Sequence, residues 1–278
     1  MRISVIIPIG DEDAWRTCRQ RLIDSIDSIG YWEQDRDVEF EILPCFDLEQ
    51  KGAFNARNDG LVKARGDWIA WVDCDDVVEQ DWAKEVAETI IAHPHVDIVQ
   101  FDAFETWNGD AQTVAYKYKG AVEGEAFAHE LLRNDGMPAW LWTRVFKRNL
   151  FDGFRFEGRV KHDYGMFLKI LPRVKSVWSI GKPLYRYMRN GKGLSAYAQQ
   201  MDYAATGLGF EKSIAELPSA WRHDANVGLA LTMADVARHS MVENGARRWV
   251  RKYLWSVLFD LKVPMRLKVK SLMAAIGV

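Results

Sequence analysis

Within the first 73 residues, runs with the character of buried strands alternate with segments of helical spacing, and no other feature constrains the fold as much. Ile3 to Ile9, ISVIIPI, is a β-branched run that reads as a strand covered on both faces. A helix follows, with Asp13 as a candidate cap and Leu22, Ile23, Ile26 and Ile29 as its apolar positions. Val38 to Phe46 reads as a second strand, Gly52 to Ala64 as a second helix and Asp67 to Asp73 as a third strand. This order predicts an α/β fold with a mostly parallel central sheet flanked by helices, and such sheets gather ligands at the carboxyl ends of their strands.

The third strand ends in three carboxylates, Asp73, Asp75 and Asp76. Burying one ionised carboxylate without a partner costs several kcal/mol, so the cluster either faces open water or meets a cation. In the first case it is a solvated turn, with Asp76 or Asp81 capping a helix that starts near Trp82. In the second, its oxygen ligands suit a hard divalent ion.

At 278 residues and 48% hydrophobic content the chain can bury a large core, either as one large domain or as a domain with a helical appendage. A net charge of -2 argues against the basic surface of a nucleic-acid binder, and no nucleic acid is expected among its partners. Cys18, Cys45 and Cys74 are widely spaced with no paired Cys-x-x-Cys, which fits a reducing compartment and makes a cytoplasmic location the expectation. No run reaches the ~18 uninterrupted apolar residues of a membrane span.

The stretch NARNDGLVKARGDWIAWVDCDD resembles the segment of family 2 glycosyltransferases in which an Ala-Arg-Asn-x-Gly helix leads into an Ala-x-Gly-(Asp/Glu)-(Tyr/Trp)-Ile strand and an Asp-x-Asp-Asp motif. Ala56, Arg57, Asn58 and Gly60 supply the first part, Ala64, Gly66, Asp67, Trp68 and Ile69 the second, and Asp73, Asp75 and Asp76 the third. ISVIIPI resembles the family's opening strand. Trp142 to Phe151 resembles its Trp-x-Lys-Leu-(Phe/Tyr)-Lys-Arg segment with Arg144 in the Lys place, and PLYRYMRNGKGLS resembles its Pro-Leu-Tyr-x-Tyr segment. The resemblance covers roughly residues 2 to 197.

The resemblance implies a GT-A fold, a nucleotide-diphospho-sugar transferase architecture, over residues 1–197, with residues 198–278 as a helical C-terminal region. It implies inverting transfer of a sugar from a nucleotide-diphosphate donor to a hydroxyl of a saccharide or lipid-linked saccharide, in cell-surface polysaccharide or glycolipid synthesis. Mn²⁺ or Mg²⁺ would bridge the motif and the diphosphate, with Asp75 as metal ligand. Pro8, Asp47, Arg57 and Asp73 fall to the donor, and Asp76, Trp142 and His162 to the acceptor side or behind the ligands. Asp163, in RVKHDYGMFLKIL, takes the place of the family's catalytic base, with His162 replacing the usual Glu. As a residue it reads equally as a helix cap.

A second departure follows the second strand. The family's Val-Asp-Asp-Gly-Ser segment, which reads the nucleobase, is missing after the second strand, leaving Asp47 or the loop with Asp11 and Asp13 for that task. Arg57 is either the cation near the donor or a surface partner of Asp59 or Asp67.

From Arg247 to Val278 there are eight Lys or Arg residues and one acid, Asp260, with Trp249, Tyr253, Leu254, Trp255, Leu258 and Phe259 interleaved. This is the composition of a basic amphipathic helix at an anionic membrane surface, which would place the protein peripherally on the inner face, or of an ordinary helix with solvated charges. A nucleotidyltransferase would need a Gly-rich basic loop after the first strand, and PIGDEDAWR has none. A catalytically inactive carbohydrate- or nucleotide-binding protein of the same fold is the other reading, opposed by the retention of both Asp75 and Asp163.

Overall fold

The computed structural model describes residues 1–10, 12–27, 38–47, 52–107, 109–133, 138–157, 161–189, 203–239 and 245–277. Packing of the backbone divides the chain into two units, 1–124 with 140–159 and 173–190, and 125–139 with 160–172 and 191–278. The boundary expected after residue 197 follows chain order; these units do not, because two internal segments pack with the C-terminal helices.

The first unit is built on a nine-stranded sheet. Its strands are β1 (Arg2–Ile9), β2 (Glu39–Phe46), β3 (Trp68–Trp71), β4 (Val77–Val78), β5 (Ile98–Trp107), β6 (Asp110–Val114), β7 (Gly120–Glu123), β8 (Arg144–Lys147) and β9 (Ser176–Arg189). The order is β2-β1-β3-β8-β5-β9-β4, with β6 on β5 and β7 on β9. β1 is parallel to β2 and β3, and β5 to β9, while β8 lies antiparallel between β3 and β5. Along the main path only β8 and β4 run against the rest, so the sheet is mostly parallel, as expected.

Helices α1 (Glu12–Asp27), α2 (Ala53–Lys63) and α3 (Trp82–Ala92) connect the early strands. Asp13 is the second residue of α1 rather than its cap; it is exposed and pairs with Arg16. Leu22 is fully buried and Ile26 packs against the same core, whereas Ile29 lies outside the described residues. β1 is buried from Ile3 to Ile9, which is why its sequence shows no polar alternation.

The family-like motif residues hold these elements together. A Cβ at Gly60 would meet Ile6 Cγ2 at 2.2 Å, so only glycine lets α2 lie this close to β1. At Gly66 it would meet the backbone nitrogen of Ser4 at 2.6 Å, where the turn before β3 crosses the start of β1. Asn58 is buried and clasps one residue's backbone: its Nδ2 donates to Phe156 O at 3.0 Å, and Phe156 N donates to its Oδ1 at 2.8 Å.

The second unit is helical. It contains α4 (Gly124–Arg133) from its second residue on, α5 (His162–Ile170), α6 (Tyr203–Glu216), α7 (Ser219–His239), α8 (Ala246–Leu258) and α9 (Met265–Ile276). Tyr164 donates its hydroxyl to Leu132 O and Ala225 O, tying α5 to α4 and α7. Arg133 bonds both Asp224 and Asp260, at 2.7 and 2.9 Å. The tail expected as one amphipathic helix is two, because Pro264 opens α9 after a short link; each helix buries one side.

Candidate active site

The carboxyl ends of β1, β2 and β3 meet at one edge of the sheet. Asp47 N donates to Ile9 O at 3.0 Å and Val72 N to Ile6 O at 3.1 Å, so the residues that leave β2 and β3 flank the end of β1. Pro8 is buried in β1 opposite Cys45. Asp47 turns back on its own loop, where Oδ2 accepts the backbone N–H of Gly52 at 2.6 Å. Asp11, the alternative base reader, lies outside the described residues.

Three neighbouring carboxylates receive three different environments. Asp73 Oδ1 accepts from Arg57 Nη2 at 2.7 Å; Arg57 comes from α2 and its side chain is only 5% exposed. Arg57 is therefore a buried residue whose ion-pair partner, Asp73, lies 16 residues away in sequence. Asp76 is fully buried: Tyr185 donates its hydroxyl to Oδ2 at 2.9 Å and Met188 its backbone N–H to Oδ1 at 2.8 Å. Asp75 stands exposed between them. Because it is engaged inward, Asp76 does not cap α3, and Asp81, just before that helix, pairs with Lys182 without capping it.

Electrostatics follow from this arrangement. Burial, reinforced by the negative charges of Asp73 and Asp75, raises Asp76 well above the usual carboxylate range, although its two hydrogen bonds pull the other way. Burial and the charges of Asp76 and Asp73 raise Tyr185, so its phenol keeps its proton as a donor. Cys18, whose thiol lies 3.8 Å from Asp73 O, is pushed up to about 12 by burial first and by Cys74 and the acidic residues second.

Trp142 is 4% exposed and stacks on Tyr185, ring centroids 4.5 Å apart at 21°, with Trp140 at 4.7 Å and Tyr187 at 5.4 Å. Stacks of this kind contribute about 0.5–1.5 kcal/mol per pair beyond burial, and this one backs the acidic turn. Arg144, in the family's Lys place, is fully buried and bonds Gln100 Oε1 at 2.9 Å and Trp140 O at 2.5 Å beneath the Tyr116 ring. It acts as a strut for the Trp140–Trp142 turn.

Asp163 belongs to the second unit, at the second position of α5, with Met166, Phe167 and Leu168 buried behind it. The capping position is Lys161, so the cap reading of Asp163 does not hold. Lys161 has φ 52, and among the described residues it is the one non-glycine residue with positive φ. His162 is the first residue of the same helix. Tyr185 and the Met188 amide are the site features that sequence reading passed over; the Pro-Leu-Tyr-x-Tyr segment marks their place without revealing which loop the hydroxyl reaches.

This fold is GT-A. Among solved structures, S. aureus TarS 1-349 in complex with UDP superposes with a TM-score of 0.65 at 15% identity, covering 100% of this chain and 88% of that one. Mannosyltransferase PcManGT from Pyrobaculum calidifontis, in complex with GDP-Man and Mn²⁺, gives 0.50 at 16% identity over 99% and 86%. Residues 40–150, which include the Asp-x-Asp-Asp segment, match the model of glycosyl transferase family 2. The putative glycosyltransferase EpsH of Bacillus subtilis (strain 168) is 22% identical over 208 residues, 66% of this chain. The match spans 60% of that relative's length.

Proposed function

We propose that this chain transfers a sugar, with inversion, from a nucleotide-diphosphate donor to a hydroxyl of a saccharide or lipid-linked saccharide. The observation that carries the proposal is the unequal treatment of the three carboxylates. Asp76 is fully buried and Asp73 meets the buried Arg57, while Asp75 between them is exposed beyond the carboxyl end of β3. A rigid turn that presents one exposed carboxylate fits a hard cation of the Mn²⁺ or Mg²⁺ type, which takes few protein ligands and leaves positions for phosphate. Bound there, the ion would neutralise the charge that develops on the leaving diphosphate. That TarS and PcManGT share the fold and were solved with UDP and with GDP-Man and Mn²⁺ supports a nucleotide-sugar partner.

The chain's own residues supply the rest. Arg57 places a buried cation beside Asp73, and Asp47 and Pro8 lie at the neighbouring strand ends; in this reading all four serve the donor. Asp76, the Trp142 ring behind Tyr185 and the backbone of Met188 keep the turn in one geometry. Asp163 is the base that takes the proton of the acceptor hydroxyl, with His162 next to it in sequence. Three buried free cysteines and the use of nucleotide donors fit a cytoplasmic setting, in polysaccharide or glycolipid synthesis at the inner face of the membrane.

A thermal-shift screen of nucleotide sugars with and without Mn²⁺ tests the reading. A donor at 100 times its Kd stabilises the folded chain by about 2.7 kcal/mol. Stabilisation by no nucleoside diphosphate or nucleotide sugar, in either condition, would contradict it.

A further inference from the structure

The outer sides of α8 and α9 and the link between them carry large apolar side chains that stand in solvent. Trp255 is 65% exposed, Phe259 74%, Leu261 96% and Met265 72%, and Val269, Leu272 and Ile276 are exposed as well. Seven of the twelve exposed large hydrophobic residues among the described residues thus fall between 255 and 276, a concentration that scattered surface apolarity does not produce. On α9 they follow one stripe, Met265, Val269, Leu272 and Ile276, at i, i+4, i+7 and i+11, while Ser271, Ala274 and Ala275 are buried on the opposite side. On α8 the same spacing joins Arg248, Lys252, Trp255 and Phe259, with Trp249, Val250 and Val257 turned inward. The rings of Trp255 and Phe259 stack at 5.4 Å and 16°.

Charge on this face is predominantly positive. Residues 247–278 hold eight Lys or Arg and one acid, and that acid, Asp260, is turned inward to Arg133 with its side chain 6% exposed. Lys252 is paired with Glu211 and Lys270 with Asp235, whereas Arg248, Arg251, Lys262 and Arg266 are exposed. A second copy docked across a twofold axis would set these cations against their own images. The combination of an apolar stripe with tryptophan and a predominantly cationic surround matches the boundary between acyl chains and anionic headgroups.

We propose that this face docks on an anionic bilayer. Trp255, Phe259, Leu261, Met265 and Val269 enter the headgroup–acyl boundary, and Arg248, Lys262 and Arg266 meet lipid phosphates. The proposal stands on this surface and does not depend on the transfer reading.

Flotation of the full chain with vesicles of phosphatidylcholine, with and without phosphatidylglycerol, tests it. Binding is expected on the anionic vesicles, about tenfold or more weaker on neutral ones, and weakened by salt, because each basic residue near the surface is worth about fivefold in partitioning. Leu261→Ser/Met265→Gln and, separately, Arg266→Glu/Lys268→Glu should each reduce binding by about tenfold or more while the melting temperature stays that of the unaltered chain, since these positions lie outside the core. A full chain that ignores anionic vesicles at low ionic strength overturns the proposal. So does a concentration-dependent dimer that Leu261→Ser/Met265→Gln dissolves without any vesicle binding, which assigns the face to a second copy.

Discussion

The hydroxyl of Tyr185 donates to Asp76 Oδ2 over 2.9 Å, and the Tyr185 hydroxyl oxygen in turn accepts the backbone N–H of Asp73 at 3.0 Å. One phenol on β9 therefore fixes both ends of the turn that presents Asp75. Tyr185→Phe keeps the ring stack on Trp142 but leaves the Asp73 amide and the buried Asp76 carboxyl each short of a partner, at about 1–3 kcal/mol for each group. Nucleoside diphosphate affinity should fall by about tenfold as the turn loosens, a size set by roughly 1.4 kcal/mol of lost order. Chemical denaturation and calorimetry on the same variant separate the two effects, and unchanged affinity would remove the positioning role.

Asn58 should be as sensitive as a core residue, although nothing in the proposal makes it touch substrate. Asn58→Ala strands the N–H and C=O of Phe156 in a buried setting, which should cost about 2–4 kcal/mol at roughly 1–2 kcal/mol per group. Asn58→Asp retains the acceptor but sets a buried carboxylate oxygen against Phe156 O, so its urea midpoint should fall at least as far as that of the alanine variant. A wild-type midpoint for the alanine variant would show that the clasp does not hold the fold.

The strands β1, β2 and β3 and the helices between them were legible because buried parallel strands announce themselves as apolar runs, and Gly60 and Asn58 came with a recognisable motif. Pairings formed across long sequence distances were not legible. The nearest acids to Arg57 in the sequence are Asp59 and Asp67, yet the packing of α2 on β1 and β2 carries its guanidinium to Asp73, beyond the end of β3. Tyr185 looked like any β-strand aromatic, since sequence does not tell which loop a hydroxyl will reach. The aromatic and basic spacing of the tail suggested one helix because periodicity alone underweighted Pro264.

Asp260 offers a pH test of the helical unit. Burial works against its ionised form, but hydrogen bonds from Arg133, the Lys262 amide and His223 outweigh it and hold the group at about 2, below its ordinary 3.8. A carboxylate lowered on folding contributes stability that is complete above pH ~4 and lost as pH falls through about 2. Asp260→Asn should therefore cost about 2 kcal/mol at neutral pH, roughly the linkage value of that shift, and much less near pH 2. Equal losses at both pH values would mean that the ion pair with Arg133 is not the source.

Asp163 carries the proposed base role. Asp163→Asn preserves shape but cannot take the acceptor's proton, so release of nucleoside diphosphate in the presence of acceptor should slow by about two to four orders of magnitude. Lys161, not Asp163, holds the capping position, so stability should change little. Wild-type turnover in the Asp163→Asn variant would return the search for the base to Asp76 and His162.

The central claim is a cation-assisted nucleotide-diphosphate site at the exposed carboxylate of the β3 turn, and calorimetric titration of UDP and GDP into the unaltered chain and Asp75→Ala, with Mn²⁺ and with chelator, tests it most directly. The account predicts that at least one nucleotide binds the unaltered chain about tenfold or more tightly with Mn²⁺ than with chelator, a gain of roughly 1.4 kcal/mol, and that Asp75→Ala abolishes most of that gain without lowering the melting temperature. Affinity that is equal with Mn²⁺ and with chelator, or a Mn²⁺ gain that survives intact in Asp75→Ala, would contradict it.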